Sequence, residues 1–137
     1  MKGIQAVNVY TDGSISHNPN GIMKYAFVVP ELQYSESALI PDTKFNTNWV
    51  AEYTAVQKAL EWLLLNGFEK QKIIINSDLE MLSITLSYKQ PRAKPIEKSF
   101  HKALKEIYVL KPYFLDLSFN WIPREQNKDA DKLSKIT

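Results

Sequence analysis

The sequence predicts an α/β fold in which a mixed β-sheet is flanked by helices. Two observations lead to this class. Segments with the two-residue period or the β-branched content of strands alternate with segments in which apolar residues recur at helical spacing. The predicted order is three strands, a helix, a strand, two helices, a strand and a last helix. Strands that alternate with helices in this way favour a sheet covered by helices.

The first three strands are predicted before residue 41. Residues 4–11 form the first, and Asp12 ends it because Asp12-Gly13-Ser14 is a turn signal. Met23–Val29 is rich in β-branched and aromatic residues, and Pro30 closes it. Tyr34–Ile40 is a third, weaker candidate, because its residues are smaller and it lies between two prolines.

The longest helix is predicted for residues 49–66. Its polar start at residues 46–48 offers three possible caps, and Asn66-Gly67 ends it because glycine suits the left-handed closing position. The apolar residues that recur at helical spacing are Tyr53, Val56, Leu60, Leu63 and Leu64.

Lys72–Ser77 contains three consecutive isoleucines, which is typical of a central parallel strand covered on both faces. Ser77 and Asp78 then offer caps for a helix that extends to about Tyr88, and the prolines of residues 90–95 end it.

The rest of the chain contains three further elements. Residues 96–107 have a helical apolar stripe, and residues 115–121 alternate as a half-exposed strand does. Asn127 is predicted to cap a short last helix with Ala130 and Leu133 facing inward.

Length and composition restrict the class of protein. The 137 residues predict one domain, 1–137, with a hydrophobic core of its own. The absence of cysteine excludes disulfides, thiolate metal sites and thiol catalysis. No apolar stretch is long enough to span a membrane, so we expect a cytoplasmic protein that does not bind membranes. The net charge of +2 permits a polyanionic partner without requiring one.

Four acidic residues stand where the loops and helix starts of an α/β sheet converge. Asp12 and Asp78 end predicted strands, Glu52 lies in the first turn of the longest helix, and Asp131 lies in the last helix. Clustered carboxylates repel one another unless a hard cation neutralises them, and oxygen-only ligands favour Mg²⁺ over zinc. The alternative is that these acids simply favour the positive ends of helix dipoles.

The residues around these acids form short motifs in a fixed order. They are Tyr10-Thr11-Asp12-Gly13-Ser14, Asn18-Pro19, Asn48-Trp49-Val50-Ala51-Glu52-Tyr53, Asn76-Ser77-Asp78 and Asn127-Lys128-Asp129-Ala130-Asp131. Together they resemble the successive motifs of the type 1 ribonuclease H family, over nearly the whole chain. The resemblance implies a five-stranded mixed sheet of the ribonuclease H-like fold. It also implies an endonuclease that hydrolyses the RNA strand of RNA/DNA hybrids.

The resemblance assigns roles to individual residues. It implies that two Mg²⁺ ions, or Mn²⁺ as a substitute, are bound by the catalytic acids Asp12, Glu52, Asp78 and Asp131. Water attack would then leave 5′-phosphate and 3′-hydroxyl ends. It implies substrate contacts at Gly13, Ser14, Asn18, Asn48 and Trp49. An asparagine amide can donate to and accept from a ribose 2′-hydroxyl, although each asparagine could instead be a turn or cap residue.

The sequence departs from the family pattern at three places. The loop where many members have a histidine reads Ile122-Pro123-Arg124-Glu125-Gln126, which resembles the archaeal-type branch. Arg124 is therefore a candidate catalytic residue acting on phosphate charge, with a surface ion pair to Glu125 or another acid as the alternative. Only residues 89–95 stand in place of the basic protrusion of many members. Trp49 replaces a polar residue, and either stacks on substrate or packs over the helix start.

Three further expectations complete the sequence-based interpretation. His17 and His101 are predicted to be non-catalytic, and the protein to act as a monomer without an obligatory protein partner. A ribonuclease H domain of a retroelement polyprotein is one alternative, which a start at Met1 disfavours. A catalytically silent hybrid-binding module is the other, which retention of all four acids disfavours.

Overall fold

The computed structural model describes residues 6–43, 46–88 and 101–136. They form a five-stranded sheet with helices on both faces, which confirms the predicted fold class. The strands are β1 (Val7–Ile15), β2 (Met23–Val29), β3 (Tyr34–Ile40), β4 (Lys72–Ser77) and β5 (Asp116–Trp121). The helices are α1 (Asn48–Leu65), α2 (Glu80–Leu86), α3 (His101–Leu110) and α4 (Lys128–Ser134). The predicted break at 90–95, the basic stretch 89–95 and residues 96–100 of the predicted third helix lie outside the described residues.

The sheet is mixed, with the strand order β3-β2-β1-β4-β5. β2 pairs antiparallel with both β1 and β3. β4 pairs parallel with β1 and with β5, as expected for the isoleucine strand. The last parallel pair of β1 and β4 is Tyr10 with Asn76. Asp12 and Asp78 each lie two residues beyond this pair, so both lie at the same edge of the parallel part of the sheet.

The predicted end of the first strand is wrong. β1 continues through Asp12 to Ile15, and Gly13 pairs with Tyr25 of β2. The turn signal was misread because the antiparallel partner extends three residues past Asp12 and supplies ladder hydrogen bonds that a sequence pattern does not reveal.

The predicted end of the longest helix is confirmed. Gly67 has φ of +81°, the left-handed conformation that glycine adopts without steric cost. Its amide donates to the carbonyl of Leu64, and the next amide, of Phe68, donates to that of Leu63. At the other end Thr47 is the cap, because its side chain accepts from the Val50 amide at 3.3 Å.

Two predictions about the last strands need correction. Ile74 of β4 is only half-buried, so the isoleucine run is not fully covered on its second face. β5 begins at Asp116, one residue later than predicted, and Leu115 is exposed before it. Trp121 at its other end is 45% exposed, because its indole N–H donates to the Asp78 carbonyl at 3.3 Å instead of entering the core.

The two faces of the sheet have different partners. The main core lies between the sheet and helices α1 and α3, and its fully buried residues include Val9, Ile75 and Leu60. Gly13 faces α1, whereas Ser14 hydrogen-bonds to α4. Because successive strand residues face opposite sides, α4 covers the other face. No helix in the described part of the chain is both long and apolar enough to cross a membrane.

Candidate active site

Three of the four predicted acids lie together at the edge of the sheet. Asp12 comes from β1, Glu52 from the second turn of α1, and Asp78 from the residue that follows β4. One carboxylate oxygen of each lies within 4.8 Å of the other two. Asp12 and Glu52 are buried, and Asp78 is half-buried. Residues distant in sequence thus form one compact set of oxygen atoms.

Glycine at position 13 permits this arrangement. A Cβ at Gly13 would fall inside van der Waals distance of the backbone of Ala51 and Glu52, so any larger residue would push β1 and α1 apart. The close approach also places the Gly13 amide 2.8 Å from Oε1 of Glu52, to which it donates. Backbone packing therefore fixes both the distance from Asp12 to Glu52 and the orientation of Glu52.

Each of the three carboxylates has one oxygen held by a protein donor. Oδ2 of Asp12 accepts from the hydroxyl of Ser134 at 2.7 Å. Oε1 of Glu52 accepts from the Gly13 amide, and Oδ2 of Asp78 accepts from the Asn127 side-chain amide at 3.3 Å. Among the described residues no second hydroxyl or amide group donates to any of these three acids, and Asp12 also makes carboxyl–carboxyl hydrogen bonds with Glu52 and Asp131.

The acids share an environment that disfavours their charges. Burial raises the pKa of Asp12 to about 7, the Ser134 hydrogen bond opposes this rise, and the charges of Asp78 and Asp131 add to it. Burial likewise raises the pKa of Glu52 well above its usual range, with the charges of Asp12 and Asp78 adding to the rise. In the described ranges no lysine or arginine forms an ion pair with any of the three. Within these ranges the cluster therefore has no neutralising protein cation.

The fourth predicted acid lies beside the cluster. Asp131 is half-buried in α4, and both its charge and a side-chain hydrogen bond raise the pKa of Asp12. It is not one of the acids whose oxygens lie within 4.8 Å of each other. The structure thus places Asp131 next to Asp12 and outside the closest set.

The predicted substrate residues lie around the same edge. Asn18 and Asn48 contact each other: the Asn18 amide donates to Oδ1 of Asn48 at 3.1 Å, and the Asn48 backbone amide donates to Oδ1 of Asn18 at 3.3 Å. Asn18 is exposed and Asn48 half-buried. The hydroxyl of Ser14 donates to the Ser134 carbonyl, so it is used within the protein. Trp49 is half-buried and stacks on Tyr53, with ring centroids 6.4 Å apart, which is a packing role.

The loop before α4 contains Arg124 in a single 3₁₀ turn, Arg124–Gln126, with its side chain exposed. The ion pair with Glu125 that we considered as an alternative does not form in the described structure. His17 is exposed in the loop after β1. The side chain of His101 lies outside what the structure describes.

Two residues that hydrogen-bond to the acids were not identified as functional from the sequence. Asn127 was expected to cap α4, but its side chain makes no cap hydrogen bond and instead donates to the Thr11 carbonyl at 2.9 Å and to Asp78. Ser134 was not considered, although it is fully buried. One signal was available: Asn127, Asp131 and Ser134 have i, i+4, i+7 spacing, which puts three polar residues on one helix face.

The donor set fits a hard divalent cation. It consists of carboxylate oxygens alone, and Asp12, Glu52 and Asp78 are each oriented through one oxygen. Burial destabilises their negative charges, which no lysine or arginine of the described residues neutralises in an ion pair. These are the properties expected of a site for Mg²⁺ or Mn²⁺, and they do not suit zinc, which prefers nitrogen and sulfur ligands.

Solved structures with the same architecture are ribonucleases H. The RNase H1 of the halophilic archaeon Halobacterium salinarum matches with a TM-score of 0.77 and 26% identity, covering 94% of each chain. LC11-RNase H1, isolated from compost by a metagenomic approach, matches with a TM-score of 0.77 and 29% identity over 96% of this chain and 94% of its own. The crystal structure of LC11-RNase H1 in complex with an RNA/DNA hybrid matches with a TM-score of 0.69 and 28% identity, covering 93% of each chain.

Fold, acidic site and these similarities define the chain as a type 1 ribonuclease H, an enzyme, as the sequence motifs predicted. It belongs to the reverse transcriptase-like family, whose model matches residues 35–137.

The close approach at Gly13 leads to a first prediction. Gly13→Ala should lower the free energy of unfolding by about 1–3 kcal/mol, the usual cost of overpacking, and should also reduce ribonuclease activity severely because Glu52 is displaced. Gly67→Ala is the matched control: it meets no atom within 4 Å and is strained only by its positive φ, so it should cost about 1–2 kcal/mol and leave activity intact. Denaturant unfolding and nuclease assays check both variants. Full activity of folded Gly13→Ala would contradict the argument.

The raised pKa values lead to a second prediction, for the protein in chelator. The folded state binds more protons than the unfolded chain between about pH 4 and pH 7, because the pKa of Asp12 rises from 3.8 to about 7. The cluster's contribution to the free energy of unfolding should therefore fall as pH increases through this interval, by ~1.4 kcal/mol per pH unit for each proton involved. Denaturant titrations across the interval measure this slope.

The control for the pH series is a pair of variants. Asp12→Asn should flatten the decline and raise stability near neutral pH, whereas Asp116→Asn, which changes an exposed acid of β5, should leave it as in the wild type. A decline that is identical in wild type and Asp12→Asn would show that other groups cause it.

Proposed function

We propose that this protein is an endonuclease that hydrolyses the RNA strand of RNA/DNA hybrids. The main supporting observation is the convergence of Asp12, Glu52 and Asp78, each with one oxygen held by a hydroxyl or amide donor. The solved hybrid complex of LC11-RNase H1 supports the choice of substrate, since that enzyme shares the fold over nearly its full length.

In this proposal the acids hold two Mg²⁺ ions, for which Mn²⁺ substitutes. Asp12, Glu52 and Asp78 would hold the ions, together with Asp131 from α4. When bound, the ions activate a water molecule and stabilise the leaving oxygen, so the products have 5′-phosphate and 3′-hydroxyl ends. The protein's own part is to hold the carboxylates in place before substrate arrives, since preorganised charges need no rearrangement during reaction.

Recognition of the RNA strand is assigned to the asparagine pair. Asn18 and Asn48 hold each other at the start of α1, next to the acids, and Asn18 is exposed. Amide groups fixed in this way can donate to and accept from 2′-hydroxyl groups, which only RNA offers. We propose that Gly13, Ser14 and Trp49 border this surface and contact substrate through their backbone or ring edge.

The second candidate function, a silent hybrid-binding module, is less well supported. Burial of Asp12 and Glu52 and their mutual repulsion disfavour the charged state of both acids. A module that only binds would gain stability from replacing them, so their presence favours catalysis. We also propose that the protein acts as a monomer in the cytoplasm, within a single domain.

The proposal predicts a specific pattern of activity. With Mg²⁺ or Mn²⁺ the protein should cleave RNA in an RNA/DNA hybrid, and it should not cleave the matched DNA/DNA duplex, which lacks 2′-hydroxyls. Chelator should abolish cleavage and zinc should not restore it. Gel assays on end-labelled duplexes measure cleavage, and enzymatic end analysis should find 5′-phosphates.

Three results would contradict this proposal. Full activity in chelator would exclude a metal-dependent reaction. Products ending in 2′,3′-cyclic phosphate would show that the ribose hydroxyl attacks instead of water. Binding of the hybrid without cleavage under all metal conditions would favour the silent module.

Arg124 leads to a separate prediction. Arginine does not act as a proton-transfer group as a histidine in this loop would, and we propose that Arg124 stabilises phosphate charge near the cut. Arg124→Ala should reduce kcat on the order of a hundredfold with little change in KM, and Arg124→Lys should recover part of the loss. Lys132→Ala, at another exposed cation near the same edge, is the control and should reduce kcat less than tenfold. Near-normal kcat in Arg124→Ala would remove this role.

A further inference from the structure

The hydroxyl of Ser134 is aimed at a proposed metal ligand from the side opposite α1. Ser134 is the last residue of α4 and has no exposed surface. Its Oγ lies 2.7 Å from Oδ2 of Asp12 and 3.0 Å from the carbonyl oxygen of Asp131. A hydroxyl has one hydrogen to donate, and a charged carboxylate is the stronger acceptor, so the hydrogen goes to Asp12.

This contact differs from two others that hold the C-terminal end of α4 to the sheet. The hydroxyl of Ser14 donates to the Ser134 carbonyl, and the ammonium of Lys24 donates to the Lys135 carbonyl at 3.3 Å. Both bonds end on backbone oxygens and attach the end of the helix without touching an acid. The bond from the Ser134 hydroxyl ends on the Asp12 carboxylate itself. Because the other two bonds already attach the end of α4, attachment of the helix does not require this one.

The same arrangement recurs at the other two acids. Glu52 is held through one oxygen by Gly13, and Asp78 through one oxygen by Asn127. Asn127 and Ser134 lie seven residues apart, two turns of one helix, so α4 reaches two of the three carboxylates from one face. Outer donors of this kind orient metal ligands and tune their affinity.

We infer that Ser134 is a positioning residue that binds Oδ2 of Asp12 and thereby turns the other oxygen toward the cation shared with Glu52 and Asp78. The inference rests on the proposed function, because it requires that this cluster holds Mg²⁺. Without the hydroxyl, the Asp12 carboxylate can rotate, and its repulsion from Glu52 and Asp78 turns it away from the shared position. The effect should therefore be on metal affinity and not on substrate affinity.

The experiment measures Mg²⁺ binding alone, without nucleic acid. Wild type, Ser134→Ala and Ser134→Cys are titrated with Mg²⁺ by calorimetry, and the Mg²⁺ dependence of the melting temperature gives an independent dissociation constant. Ser134→Ala should bind Mg²⁺ about tenfold more weakly, the lower range for loss of an outer donor. Cysteine has a similar shape and a weaker donor, so its affinity should lie between the two.

Two serine variants serve as matched controls. Ser14→Ala is a control for the Mg²⁺ titration alone, because Ser14 is a proposed substrate contact. It removes a bond to the Ser134 carbonyl that does not involve an acid, so Mg²⁺ affinity should stay near wild type even where stability falls. Ser83→Ala removes a buried hydroxyl of α2 that donates only to the Glu80 carbonyl, and it should change neither Mg²⁺ affinity nor cleavage.

Cleavage assays give a second readout. In Ser134→Ala the Mg²⁺ concentration for half-maximal kcat should rise about tenfold, while KM for the hybrid stays unchanged at saturating Mg²⁺. Equal Mg²⁺ affinity of the folded wild type, alanine and cysteine proteins would overturn the role of Ser134 and leave the proposed function standing. A wild type that binds no Mg²⁺ would overturn both.

Discussion

The contact between β1 and α1 at Gly13 is the constraint on which the site depends. The backbones approach so closely there that no side chain fits between them. Asp12 precedes this glycine on the strand, and Glu52 follows Ala51 on the helix, so the contact sets the distance between two carboxylates from different elements. The same contact brings the Gly13 amide to Glu52. Packing of the two main core elements therefore determines the geometry of the acids, which makes the site as rigid as the core beneath it.

Helix α4, on the second face of the sheet, also orients the acids. α4 lies across β1 and β2 and presents Asn127, Asp131 and Ser134 to the acids. A helix this short gains little stability of its own, and its buried apolar surface is small. Much of its attachment comes from hydrogen bonds to β1, including the one from Asn127 to the Thr11 carbonyl. The helix that orients the acids is thus held by the strand from which one of those acids comes.

The acidic cluster disfavours its own negative charges, which fits the cation site proposed for it. Buried carboxylates that repel each other raise the pKa values of Asp12 and Glu52, and a bound cation would reverse both effects. Asn18 and Asn48 differ from the acids, because their side chains hydrogen-bond to each other and Asn18 remains exposed. Asn46 supports this region by donating to the carbonyl of Gly21 at 3.0 Å, which joins the loop after β1 to the start of α1. The oriented acids and the hydrogen-bonded pair of asparagines lie along one edge of the sheet, which is the functional surface that we propose.

Periodicity, prolines and Gly67 act locally in the chain. The fold class, the strands β2, β3 and β4 and the ends of α1 could therefore be predicted from the sequence. Its motifs also identified Asp12, Glu52 and Asp78, which the fold brings together. It misjudged β1, whose continuation past Asp12 depends on pairing with β2. It placed Asn127 correctly at the N-cap of α4, but the Asn127 side chain binds Thr11 and Asp78 and does not cap the helix. It did not identify Ser134. The spacing from Asn127 and Asp131 puts Ser134 on the same helix face, but it does not show which carboxylate the serine contacts. These features depend on tertiary structure. The hydrogen bond from Ser134 to Asp12 joins residues 122 positions apart, so it depends on how α4 packs on β1 and not on the neighbours of either residue in the chain.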